Sequence, residues 1–186
     1  MIEKLKRAAL VMGAVSGLIL AVPETALASS TPTFAHWSSA GAAGASGSLL
    51  GASMSLSGPM GTAFYLHDDY PNFNSAAFTP ALAATGMVEI QGGAGHAFTL
   101  SFGAPIVNPV IDLGSFGSVM TFPSGTVVTR LSGDSGLHVN GNVVSNSAAP
   151  VDVNGTIQLT GAYTRITFTL TYPGTDGIFF QVGGTR

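Results

Sequence analysis

The stretch Ile166-Thr167-Phe168-Thr169-Leu170-Thr171-Tyr172, then Pro173-Gly174-Thr175-Asp176-Gly177, then Ile178-Phe179-Phe180-Gln181-Val182, decides the fold. Ile166, Phe168, Leu170 and Tyr172 fall on one side of an extended chain, and Thr167, Thr169 and Thr171 fall on the other. That is a period-two alternation of β-branched and aromatic residues. The Pro-Gly and Asp-Gly pairs between the two runs have turn chemistry, so the spacing predicts a hairpin within Gly161 to Val182. A hairpin this apolar on one face needs a second sheet to cover it. The expected fold is therefore all-β: a single antiparallel β-sandwich, jelly-roll-like.

Upstream, the pattern continues in short strands. Ser48 to Leu56, Thr62 to Leu66, Met87 to Gln91, His96 to Phe102, Val110 to Leu113, Ser118 to Phe122 and Thr126 to Leu131 each read as one. Pro105 to Pro109 reads as an edge or turn, because proline cannot donate to a ladder. Leu137 to Val144 reads as a hairpin, with Asn140-Gly141 suited to a type I′ turn. Ser38 to Ser48 is rich in Gly, Ala and Ser and reads as a loop or as the close approach of two backbones. Ala76 to Ala84, interrupted by Pro80, reads as a short helix or a structureless crossing.

The N-terminus has the pattern of an export signal. Lys4, Lys6 and Arg7 precede an uncharged run from Ala8 to Val22, and Ala26-Leu27-Ala28 matches a small-x-small cleavage site. The run is shorter than the ~20 apolar residues a membrane span needs. The expected organisation is a signal peptide over 1–28, a flexible leader over 29–33, and one domain over 34–186. Mass spectrometry of the secreted protein should find a mature chain starting at or next to Ser29; an intact Met1 in the exported form would overturn the assignment.

After cleavage every lysine is gone, and the cations are Arg130, Arg165 and Arg186 against seven carboxylates. A chain without a basic patch is not suited to nucleic acid or anionic membrane. It has no cysteine, so its core must hold it together without disulfides. Secretion is the expected destination, with no membrane anchor left after cleavage. An extracellular glycan, a surface protein or further copies of the chain are the expected partners.

Three stretches carry a resemblance: Trp37-Ser38-Ser39-Ala40 with Gly47 to Leu56, Phe102 to Ser118, and Gly161 to Val182. Together they resemble bacterial exported jelly-roll-like domains of the choice-of-anchor or surface-sorting-signal type. The resemblance implies a β-sandwich in an extracellular protein. It implies no catalytic residues, and none are transferred. The usual C-terminal anchor does not follow here, so release is expected rather than attachment.

Candidate chemistry is sparse. Gly133-Asp134-Ser135-Gly136 resembles the nucleophile segment of chymotrypsin-like proteases, and Ala35-His36-Trp37 their histidine segment. Too few residues precede His36 for that fold, so a turn is the better reading. Glu89, flanked by Val88 and Ile90, is expected to point to solvent from a strand. His67-Asp68-Asp69-Tyr70-Pro71-Asn72-Phe73-Asn74 is the most functional-looking loop. Asp68 and Asp69 are the candidate calcium ligands, since adjacent carboxylates suit a cation that takes many oxygens. Tyr70 and Phe73 are expected exposed, and with Trp37 they are the candidate sugar-stacking rings, although Trp37 also suits core packing. The function expected is non-enzymatic: extracellular binding, adhesion or matrix structure. A calcium-assisted carbohydrate-binding module is the alternative, and a secreted hydrolase a distant third.

Overall fold

The computed structural model describes residues 31–68, 73, 75–82, 86–171 and 177–186. These form an all-β protein whose fourteen strands join in one antiparallel sheet. The signal peptide assigned to 1–28, and Asp69 and Tyr70 of the candidate loop, lie outside the described residues.

The organising strand is β7 (Ala97–Phe116), which takes in three segments that the sequence suggests are separate. Pro105 and Pro109 lie inside it, around a bend where Asn108 takes a φ of 45°. The bend is held by Asn108 itself: its amide donates to Gly161 O at 2.7 Å, and its side-chain oxygen accepts from Gly161 N at 2.9 Å. Prolines are tolerated there because the strand changes partners at that point. Before the bend it pairs with β4 (Ala52–Ser57) and β13 (Ala162–Leu170). Beyond it the partners are β12 (Val153–Leu159) and β14 (Ile178–Thr185).

Two half-sheets grow from that shared strand. One adds β3 (Gly44–Leu49) and β2 (His36–Gly41) beyond β4, and β8 (Val119–Thr121), β11 (Val143–Asn146) and β10 (Leu137–Asn140) beyond β13. The other adds β6 (Met87–Gln91) and β5 (Ala63–His67) beyond β14, and β9 (Val128–Gly133) beyond β12. The short β1 (Thr33–Phe34) also pairs with β14, so pairing begins one residue before the expected domain boundary. The sheet doubles over at β7, bringing Phe168 to Phe180 at 5.9 Å and Phe98 to Phe64 at 6.4 Å. β2 then lies beside β5 and β9 beside β10, closing both flanks.

The alternation read for the final stretch holds: Ile166, Phe168 and Leu170 are buried, with Thr167 and Thr169 on the opposite face. The hairpin does not. β13 and β14 pair with opposite ends of β7 and not with each other. Their side chains meet across the core instead, where Phe168 and Phe180 stack between the half-sheets. The Leu137–Asn146 hairpin forms as expected, but its two-residue loop is Gly141-Asn142. Only Gly141 there has positive φ (59°), the pattern of a II′ turn rather than I′.

The glycine-rich N-terminal stretch is a close backbone approach. A Cβ on Gly47 would meet His36 O at 2.3 Å, which only glycine avoids in the β2–β3 pair. The segment 75–82 is the structureless crossing; no helix forms among the described residues. It lies over the outer face of the second half-sheet. There Phe73, Phe78, Leu82 and Met87 make a small apolar cluster with Phe34, Ala77 and Phe179 packed against it.

Candidate functional site

The structure places two of the three expected ligand-binding rings, Trp37 and Phe73, inside. Trp37 is buried in the main core, and its indole N–H donates to Gln181 Oε1 at 2.9 Å. Phe73, expected exposed, is buried against Phe78 with ring centroids 4.6 Å apart. Neither ring offers a face to a sugar. The apolar loop residue folds back because the crossing segment has its own small core to fill. Asp68 is exposed at the end of β5. The described residues contain no group of three or more metal-ligating side chains.

Glu89 also departs from expectation. It is only 7% exposed, on the outer face of β6. His67 Nε2 lies 2.6 Å from its Oε2, and Gln91 Nε2 donates to its Oε1 at 2.5 Å. His67 packs edge-on against Phe179 at 5.1 Å. A Cβ on Gly177 would collide with the Glu89 carboxylate, so the chain beside it must be glycine. The carboxylate is thus held by His67 and Gln91 rather than left to solvent.

A polar row, buried except for the half-buried Ser132 at its end, crosses the same outer face. Gln181, Asp112, Thr156 and Ser132 are register neighbours on β14, β7, β12 and β9. Gln181 accepts from Trp37 Nε1 and from Val182 N, and donates to Ala35 O and Gly86 O. Thr156 donates to Asp112 Oδ1 at 2.5 Å and accepts from Thr79 N at 2.9 Å. Ser132 Oγ donates to Ala77 O at 2.8 Å. Asp112 is fully buried, and burial pushes its carboxyl up from 3.8 to about 7 against the smaller opposing effect of the Thr156 hydrogen bond. The sequence gives little sign of this row, since Asp112 reads as one more polar residue between Ile111 and Leu113.

The other outer face is different in kind. Ser39, Ser46, Ser55, Ser101 and Arg165 stand in one register row across five strands. Ser57, Thr99 and Thr167 make a second row, and Ala97, Thr169 and Thr121 a third. Strand geometry spaces such rows by about 6.8 Å along the chain and neighbours within a row by about 4.8 Å. Ser39 and Ser46 hydroxyls are 2.7 Å apart, and Arg165 Nη2 donates to Thr99 Oγ1 at 3.3 Å. Two open cavities sit on this side. One of about 330 Å³ is lined by Ser53, Ser55, Ser101 and Gly103 among others. One of about 200 Å³ is lined by Thr121, Pro123, Thr167 and Thr169 among others. The alternation that marks these strands as half-buried also predicts hydroxyls on their outer positions; only the pairing shows that they align.

The protease-like turn is structural. Asp134 Oδ2 accepts from Asn154 N and Nδ2, and Asp134 O accepts from Leu137 N. Asp152 likewise accepts from Ser115 Oγ at 2.7 Å, beside the irregular end of β7. Comparison with protein-family models, with curated proteins and with solved structures gives no match.

Proposed function

We propose that this chain is a secreted, non-enzymatic β-protein for extracellular binding, adhesion or matrix structure, and that its Ser/Thr face carries that function. The in-register hydroxyl rows support the reading, for a flat array of donors and acceptors with one cation matches a neutral, hydroxyl-bearing surface. Each hydrogen bond to such a partner is weak, and a polymer gains affinity by engaging many at once. An extended uncharged polysaccharide has that chemistry.

Retention on insoluble neutral polysaccharides tests it. Ser46→Lys with Ser55→Lys adds two cations at exposed positions of the first row. Retention should fall at least about tenfold while the melting temperature stays within roughly 3 °C, as expected for surface substitutions. Retention untouched by both lysines but abolished by chelator would move the site to the Asp68–Asp69 loop and calcium. Turnover of the polysaccharide would make the protein a hydrolase.

A further inference from the structure

We propose that residues 75–82 form a strap that lies closed over β14, β7 and β12 while Asp112 is neutral, and that opens when Asp112 ionises. The strap is tied to the sheet through polar groups as well as through Phe78 and Leu82. Thr79 N–H reaches Thr156 Oγ1, and Ala77 O accepts from Ser132. Thr156 has a single hydroxyl proton and gives it to Asp112 Oδ1. The strap is therefore connected to the carboxyl by a chain of two hydrogen bonds. Asp112 Oδ2 has no hydrogen-bond partner among the described residues, although the side chain is wholly buried.

Among the described residues only the Thr156 hydroxyl donates to that carboxyl, too little to offset the burial of a charge there. The strap residues 75–82, β14 and β12 bring no titratable side chain to it. Farther along the same face, Glu89 of β6 is engaged by His67 and Gln91. Arg130 of β9 is spent on the carbonyls of Ser132, Gly133 and Asp134. Lifting the strap is the direct way to bring water to Oδ2, because the strap is a single chain thick and Thr79 and Ala81 are exposed on its outer side.

The closed state raises the carboxyl to about 7. The stabilisation of closure that comes from a neutral Asp112 is thus complete below about pH 4 and is lost as pH rises through about 7. With an open-state value of 3.8, the opening equilibrium rises about a hundredfold between pH 5 and pH 8.5. Opening bares Met87, Phe179 and the polar row to solvent.

Hydrogen exchange on the full mature chain, corrected for the intrinsic pH dependence of exchange, reads this directly. Protection of the Thr79 amide should fall about a hundredfold over that range and stay well below that of the most protected amides of β13 at every pH, as local opening requires. In Asp112→Asn, Thr79 protection should stay flat. A flat wild-type profile overturns the proposal, as does equal protection of Thr79 and β13 at every pH, which is global unfolding. If Asp112→Asn does not fold, the wild-type comparison of Thr79 with β13 decides alone.

Discussion

Phe168→Ala is expected to cost ~3–5 kcal/mol, and Thr169→Ala less than about 1. The two residues are neighbours in β13, so the difference isolates which face each occupies. Phe168 is 1% exposed and stands between the half-sheets. Its ring stacks on Phe98 at 5.5 Å within one half and on Phe180 at 5.9 Å across the core, with Phe122 tilted against it at 6.0 Å. Truncation removes ring contacts in both directions, and three rigid rings cannot collapse into the space left. Thr169 lies on the outer face, with Ala97 and Thr121 as register neighbours, where a lost methyl and hydroxyl are replaced by water. Denaturant melts of both variants measure the difference. Equal losses would mean that Phe168 is not the link between the halves.

That link also marks how far the sequence is informative. Period-two alternation gives strand identity and inner face together, so Phe168 and Leu170 of β13 and Val88 and Ile90 of β6 are legible from spacing alone. Pairing is not, because it depends on which apolar faces meet best over the whole chain. Nothing local to Tyr172–Gly177 distinguishes a hairpin from two strands that meet face to face. β7 is obscured for a related reason: Pro105 and Pro109 are turn signals in isolation, yet a strand that changes partners between them has no need of their missing amides.

The candidate sites divide along the same line. Charges and rings in a polar loop read as exposed, and Asp68 is. Phe73 is not, because a crossing segment with Phe78 and Leu82 can build a small core of its own. Glu89 and Asp112 alternate correctly onto an outer face, but the strap 75–82 and its neighbours cover that face. Burial of a residue on the solvent side of a sheet is a tertiary event with no periodic signature. The hydroxyl face is the converse case. Its residues are visible in the sequence, and only the register turns scattered Ser and Thr into rows.

Gln181→Leu is expected to destabilise the protein by about 3–5 kcal/mol, well beyond the ~1 kcal/mol of one ordinary hydrogen bond. Gln181 is wholly buried, and its amide is used on both ends. Oε1 accepts from the Trp37 indole at 2.9 Å and from Val182 N at 2.8 Å. Nε2 donates to Ala35 O at 3.1 Å and Gly86 O at 2.7 Å. These partners belong to the chain entering β2, to β14 itself and to the chain entering β6, so one side chain ties three segments together. Leucine matches the volume but leaves a buried indole N–H and a buried carbonyl without partners, and each orphan costs about 1–3 kcal/mol. The mechanism predicts a specific non-additivity. Trp37→Phe removes the orphaned indole, so in the Gln181→Leu background it should cost about 1–2 kcal/mol less than it does in the wild type. Thermal or urea melts of the two single variants and the double variant close the cycle. Additive losses, or a Gln181→Leu protein within about 1 kcal/mol of wild type, would show that water replaces the glutamine and that Trp37 is held by packing alone.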